Sequence, residues 1–305
     1  MRLGIIHGRV KLGARRSNLK RIEEFIERIL DSERSSGTPD TIVLPSYPIT
    51  GPLIGYYPAA RVKQVVRSYA ERISANGSIL TPGVGHLAKI SGEYGIYIIA
   101  GPIIERAGPK LYSTVVAISP EEVIIGKYRK ANTTREEVRA GISPGRSIET
   151  INIKGANIGV FVEEDLAYPE VFRKMQWHGA NIIVGFMMPY SSPIFSIERY
   201  EGRSDVITMN REVVGEFLSV RSRETGVPIV LVGGIVNGSG ESSRGYAFMP
   251  TITADPDVGV IKERMLGYED ADTHITIEVN TQESRPRPLG DSFYNYIKDF
   301  CKKKG

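Results

Sequence analysis

The 305-residue chain is 41% hydrophobic and sets 39 basic side chains against 35 acidic ones, a formal charge of +4 that excludes a disordered polypeptide. A pI near 9.0 permits a nucleic-acid partner without implying one. The longest apolar runs, 182–189 and 227–236, fall well short of the roughly 20 residues that cross a bilayer, and the first residues lack a signal-peptide pattern. The single cysteine, Cys301, cannot form an intrachain disulfide, so a soluble, cytoplasmic protein in a reducing compartment is expected. Scarce Gln with plentiful Arg, Lys, Glu and Ile matches a thermophile's composition.

In chain order, 3–7 reads as a short buried strand, and Ser17 as the cap of a helix with Leu19, Ile22, Phe25, Ile26 and Ile29 on one face. A strand at 41–45 ends in the turn cluster Pro45-Ser46-Tyr47-Pro48-Ile49-Thr50-Gly51. Pro58 suits the start of a helix with Val62, Val65, Val66, Tyr69, Ala70 and Ile73 inward, stopped by Asn76-Gly77. Strands at 78–80 and 96–104 follow, then a hairpin of 111–119 and 123–128 around Pro120-Glu121-Glu122, and a polar loop to about Gly145. A helix over 169–178 is closed by Gly179 and leads to a strand at 182–186. The segment 189–204 reads as irregular. It precedes a helix through Arg223, one apolar strand at 229–236, a loop at 237–243 and strands at 246–249 and 274–279. With no repeat and no long linker, 1–281 is expected as one domain. The tail, 282–305, carries the stiff Arg285-Pro286-Arg287-Pro288 and a short amphipathic helix presenting Phe293, Tyr296, Ile297 and Phe300.

The chain centres on 158–170, where an apolar strand ends in Glu163-Glu164-Asp165 and a helix starts at Pro169. A turn of this kind holds one side chain up at the end of a strand, the position where many hydrolases mount a nucleophile. Here it carries carboxylates and neither Cys nor Ser.

Val43-Leu44-Pro45-Ser46-Tyr47-Pro48-Ile49-Thr50-Gly51, Gly126-Lys127-Tyr128-Arg129-Lys130 and the acidic elbow together resemble the nitrilase or carbon-nitrogen hydrolase superfamily, whose members cleave nitriles and amides with a Glu-Lys-Cys triad. Trp177-His178-Gly179-Ala180-Asn181-Ile182-Ile183 and Arg221-Ser222-Arg223-Glu224 extend the likeness. The resemblance implies a four-layer αββα sandwich of the α/β class and a homodimer or higher homo-oligomer. It places Lys130 on the family lysine, Ser46 where the general-base glutamate belongs and Glu163 where the nucleophilic cysteine belongs, a degenerate triad. Tyr47, Glu136, Glu137 and Glu164 are the side chains expected around it. A serine is no general base near neutral pH and a carboxylate is a poor attacker of an amide. Removal of a nucleophile costs on the order of 10⁶ in rate where such groups act as a unit.

The expectation is therefore a non-catalytic homologue, a scaffold that binds an unidentified protein partner, with Glu163 paired to Lys130 and Glu136 or Glu137 as a second partner. One alternative is an amidase-like hydrolase of altered mechanism using Lys130 and Glu163. Another is a module for RNA or a ribonucleoprotein, suggested by the basic pI. No cofactor, metal or membrane contact is expected. Consecutive carboxylates on a turn seldom converge on one cation, and the four histidines, His7, His86, His178 and His274, show no ligand spacing. Gly83-Val84-Gly85-His86-Leu87-Ala88 has the form of a dinucleotide loop but reads as a turn, since Ser91-Gly92 should end any helix at once. The loop at 237–243 lacks the Gly-Lys-Ser/Thr ending of a phosphate loop. Arg135, Arg139 and Arg146 are available to an anionic ligand but fit a solvated surface better.

Overall fold

The computed structural model describes residues 1–35, 37–73, 81–190, 192, 194–201, 203–238, 246–257 and 259–279. The expected strand at 78–80, residues 239–243 of the loop, Cys301 and the 282–305 tail with Phe293, Tyr296, Ile297 and Phe300 lie outside the described residues, as do Asn76 and Gly77, but the helix expected to run to them already ends at Tyr69, where Ala70 turns extended.

In chain order the elements are β1 (Arg2–His7), β2 (Arg9–Lys11), α1 (Arg15–Ser32), β3 (Thr41–Val43), α2 (Ala59–Tyr69), α3 (Val84–Tyr94), β4 (Tyr97–Ala107), β5 (Lys110–Ile118) and β6 (Ile124–Arg129). Next come α4 (Arg135–Ala140), β7 (Ile151–Ile153), β8 (Ala156–Val162), a 3-10 turn (Glu163–Ala167), α5 (Pro169–Trp177), β9 (Ile182–Phe186), β10 (Ile197–Tyr200), β11 (Arg203–Met209) and α6 (Arg211–Thr225). The described part closes with β12 (Ile229–Val232), β13 (Gly234–Asn237), β14 (Tyr246–Met249), β15 (Thr251–Asp255), β16 (Gly259–Leu266) and β17 (Thr273–Glu278).

Two six-stranded sheets, ordered β17-β1-β3-β4-β5-β6 and β16-β15-β12-β9-β8-β7, form the middle of the fold. Leu3, Ile5, Val43, Ile99 and Val115 of the first pack against Ile158, Val160, Ile182, Val184 and Val230 of the second. On the outer face of the first sheet α1 and α3 cover Ile6, Ile98 and Val116. On the outer face of the second, α5 and α6 cover Phe161, Ile183 and Leu231 through Phe172, Met175 and Leu218. This is the αββα sandwich. Both central sheets are covered on both faces, which is why their strands read as continuous apolar runs rather than alternating ones. Leu19, Ile22, Phe25, Ile26 and Ile29 form the buried stripe of α1, each contributing roughly 1.5–3 kcal/mol by burial.

Several expectations are corrected. Helix α1 begins at Arg15, ahead of Ser17, because Asn18 clamps the preceding chain: its side chain bonds both the N–H and the carbonyl of Lys11, at 2.9 and 2.8 Å. The turn at Gly83 is only the entry to a helix: Val84–Ala88 are helical, and α3 runs straight through Ser91-Gly92. A glycine inside a helix costs only about 1 kcal/mol. The buried carboxylate of Glu71, twelve residues upstream, accepts the N–H groups of Gly83 and Val84 at 2.9 and 2.8 Å and caps the helix from outside. The polar loop after β6 contains α4, started by a capping box in which Thr134 and Glu137 satisfy each other's backbone N–H. The irregular stretch 189–204 contains β10 and the start of β11.

The apolar run 229–236 is two strands, not one. β12 pairs with β9 and β15 in the second central sheet, whereas β13 belongs to a further sheet ordered β10-β11-β14-β13-β2. The chain changes sheets at Gly233-Gly234, where Gly234 has φ 144° and a Cβ on Gly233 would lie 2.0 Å from the carbonyl oxygen of Met249. No larger residue fits that crossing.

Candidate functional site

Period-two alternation along β6 turns Tyr128 toward the second sheet and Lys127 and Arg129 away from it. Lys130, the next residue, continues the inward row, and its side chain is completely buried. Its ammonium donates to Glu137 Oε2 at 2.8 Å and to Glu163 Oε2 at 2.9 Å. It also lies 5.3 Å from the centre of the Tyr190 ring. Burial works to depress the Lys130 pKa, but Glu137 and Glu163 outweigh it and the net shift is upward.

Glu137 reaches this position as the third residue of α4. Its Oε2 accepts the Thr134 N–H at 2.7 Å as well as the lysine, so one carboxylate both caps the helix and neutralises the cation. Glu163 leaves β8 with φ 48°, a left-handed conformation costing about 1–3 kcal/mol in a residue with a Cβ. The strained turn lifts its carboxylate off the end of the strand. Tyr47, on the facing wall, has φ 56° and donates its hydroxyl to Glu163 Oε1 at 2.6 Å. Burial raises the Glu163 pKa above the ordinary carboxylate range; Lys130 opposes this and Glu137 adds repulsion. The Tyr47 hydroxyl is pushed far up, first by burial and then by the charges of Glu163 and Glu137.

The neighbouring acids serve other partners. Glu164 Oε2 accepts Tyr190 Oη at 2.8 Å and Ser192 Oγ at 3.0 Å. Asp165 accepts Tyr128 Oη at 2.8 Å and the Val162 N–H at 3.1 Å on one oxygen, and the N–H and side chain of Asn132 at 2.8 and 2.9 Å on the other. Burial raises its pKa against the pull of Lys130, Tyr128 and Asn132. The three consecutive carboxylates thus diverge, and among the described residues no three His, Cys, Asp or Glu side chains converge on a possible metal position.

The structure joins Lys130 to Glu163 and, of the two candidate second partners, to Glu137; it sets the expected Tyr47 against Glu163 and adds Tyr190, which the sequence reading does not name. It does not bring Ser46 into the cluster. The Ser46 hydroxyl donates to the Val232 carbonyl at 2.8 Å and its N–H to the Gly233 carbonyl at 3.1 Å, pinning this loop to the sheet crossing. Glu136 is also corrected: consecutive helical residues point about 100° apart, so while Glu137 faces Lys130, Glu136 stays half-buried and bonds neither Lys130 nor Tyr47. Arg135, Arg139 and Arg146 are exposed and take no part. His7 and His274 bond Thr251 and Glu33, His86 Nε2 lies 3.3 Å from Glu23, and His178 ends α5, all apart from the cluster. The bonds of Asp165 to Tyr128 and Asn132 and the capping box escaped the sequence reading, though Thr134-x-x-Glu137 is a legible signal for the latter.

Beside the cluster, Tyr47, Thr50, Leu53, Ile104, Ser113 and Glu137 line a cavity of about 10 Å³. That is room for about one water molecule. The buried Ser113 hydroxyl has no hydrogen-bond partner among the described residues and lines the same space.

The fold and the site together define an αββα sandwich protein with a buried lysine held between two carboxylates. The chain belongs to the carbon-nitrogen hydrolase family, whose model matches residues 2–284. It is 30% identical over 134 residues to the nitrilase of Pyrococcus abyssi, covering 43% of this chain and 49% of that one. It is 25% identical over 175 residues to 2-oxoglutaramate amidase of Bacillus subtilis, covering 57% and 60%. The matches thus span about half the length of these curated relatives. Among solved structures, a carbon-nitrogen hydrolase from Helicobacter pylori superposes with a TM-score of 0.69 at 13% identity, over 98% of this chain and 92% of the other. Nit3 of Saccharomyces cerevisiae, a member of the nitrilase superfamily, superposes with a TM-score of 0.66 at 19% identity, over 97% and 94%. These two likenesses bear on the fold alone.

Proposed function

We propose that this chain is a carbon-nitrogen hydrolase homologue that does not hydrolyse amides or nitriles, and that its closed charge cluster holds together a scaffold for a protein partner. One observation carries the reading: both oxygens of Glu163 are occupied, by Lys130 and Tyr47, beside a cavity of about 10 Å³. A carboxylate attacking an amide carbon must give up such bonds and form an acid anhydride, a higher-energy acyl intermediate than a thioester. The lysine that would steady a developing charge is already neutralised twice. In the same reading 1–281 is one domain with 282–305 as its tail, and the protein is a homodimer, which light scattering after gel filtration tests.

The direct assay is ammonia release from a panel of small amides, dicarboxylic ω-amides and nitriles, with protein purified free of host enzymes. The expected result is no release above that of a Glu163→Gln variant. Turnover that disappears in the variant overturns the proposal. A second reading has its own support, because Glu163 bonds Lys130 directly and burial raises its carboxyl above the ordinary range, a pairing suited to proton transfer. It requires a pH–rate profile that vanishes in both Glu163→Gln and Lys130→Met.

A further inference from the structure

The outward row of β6 builds a second charged site on the opposite face of its sheet. Glu105 of β4 is completely buried, and every bond it makes runs across the strands: Thr114 Oγ1 at 2.8 Å, Lys127 Nζ at 2.7 Å, and Arg129 through Nε and Nη2, both at 2.8 Å. The Arg129 guanidinium also lies over the Tyr112 ring, 4.1 Å from its centre. Two cations are therefore fixed in place by one saturated carboxylate, while about 30% of the Arg129 side chain and 28% of Lys127 remain open to solvent. These two, with the exposed Arg72 and Arg106, line a cavity of about 260 Å³ in which Glu105 is the only carboxylate among the described residues.

The charges do not balance locally. Arg106 donates to the carbonyl of Arg67, and neither Arg72 nor Arg106 has a carboxylate partner among the described residues. The neighbouring Glu71 is committed elsewhere, to the N–H groups of Gly83 and Val84 and to Arg15 at 3.4 Å. Four cations facing one buried anion repel one another, and an ion pair alone needs no such surplus. Among the described residues each guanidinium keeps N–H groups without a partner, the geometry that grips phosphate oxygens in pairs. The cavity is smaller than the roughly 300–1,000 Å³ of a drug-sized ligand site, so its occupant is compact.

We propose that the outer face of β4–β6 is a binding site for a compact multivalent oxyanion of the phosphate or pyrophosphate type, gripped by Lys127, Arg129, Arg72 and Arg106. Glu105 is its positioning residue: it holds Lys127 and Arg129 in register and touches no ligand itself.

Calorimetric titration with inorganic pyrophosphate at a constant ionic strength of about 0.15 M tests this on the full chain. Saturable binding at one site is expected, weakened at least about tenfold in Arg72→Ala/Arg106→Ala, whose exposed side chains leave the fold intact. The control is Arg9→Ala/Lys11→Ala, which removes the same charge from a separate cavity beside β2 and β13 and should leave the affinity unchanged. A nucleoside diphosphate run in parallel separates the two sources of the group: equal affinity marks the free anion, tighter binding marks a phosphate ester, and either supports the site. No saturation up to about 10 mM, equal weakening by both double variants, or preference for a single-stranded oligoribonucleotide lost through the same residues overturns it.

Discussion

Replacing Lys130 by Met removes the cation that Glu137 and Glu163 share, with little change of volume. The lysine is fully buried, with 6% and 4% of the two acidic side chains exposed, so solvent cannot take its place. Removing one partner of a buried pair costs about 3–5 kcal/mol. At roughly 2–4 °C per kcal/mol for a chain of this class, the melting temperature should fall by about 6–20 °C. The loss should also depend on pH. Burial already raises the Glu163 pKa and Lys130 restrains it, so without the lysine the value climbs further. A raised folded pKa means that the native state binds more protons than the unfolded one. Its contribution is fully present below the unfolded carboxylate pKa and is lost as pH rises through the folded value. Urea unfolding followed by far-UV circular dichroism at about pH 5 and about pH 8 should therefore show the larger deficit at the higher pH. Adding Glu163→Gln removes one of the two surplus charges and should recover part of the loss. A single-variant loss under about 1 kcal/mol, or a loss equal at both pH values, refutes the claim that the cluster is neutralised as a unit.

Tyr47→Phe removes a hydrogen bond to a charged acceptor and should cost roughly 1.5–3 kcal/mol in the same urea assay, and a cost near zero would mean that the hydroxyl does not hold Glu163. His7 is buried between Thr251 and Gly267, and burial lowers its pKa to about 4. Its contribution is present above the unfolded value of about 6.5 and lost as pH falls toward 4, so a stability–pH curve over that window should be flatter in His7→Gln, by about 3 kcal/mol in total. Gly233→Ala places a Cβ 2.0 Å from the Met249 carbonyl oxygen at the crossing from β12 to β13, and soluble expression with an unchanged melting temperature would show that this crossing yields more easily than its geometry allows.

Much of the fold was legible because burial imposes it locally. The stripe Leu19, Ile22, Phe25, Ile26, Ile29 and the run 182–186 have the periodicity of the elements they form, whatever packs on them. The failures share a cause. α3 survives Ser91-Gly92 because Glu71 caps it from another part of the chain, and α1 starts early because Asn18 grips Lys11. β12 and β13 look like one strand because a change of sheet alters the partners and not the apolar content. At the site, the pairing of Lys130 with Glu163 followed from matching two positions to one pocket. The choice of Glu137 over Glu136, and the turning of Ser46 away toward Val232, did not.

The sequence by itself determined the alternation of apolar strands with amphipathic helices and the carboxylate-bearing elbow, because these depend on residue type and period, while the layered sandwich was expected from the resemblance. Only the tertiary structure decided that Lys130 is shared between Glu137 and Glu163, that Tyr47 closes the cluster, and that Lys127 and Arg129 gather around Glu105 on the other face. A side chain's type limits which bonds it can make. Which one it makes in a buried site depends on which neighbours, distant in the chain, reach it within about 3 Å.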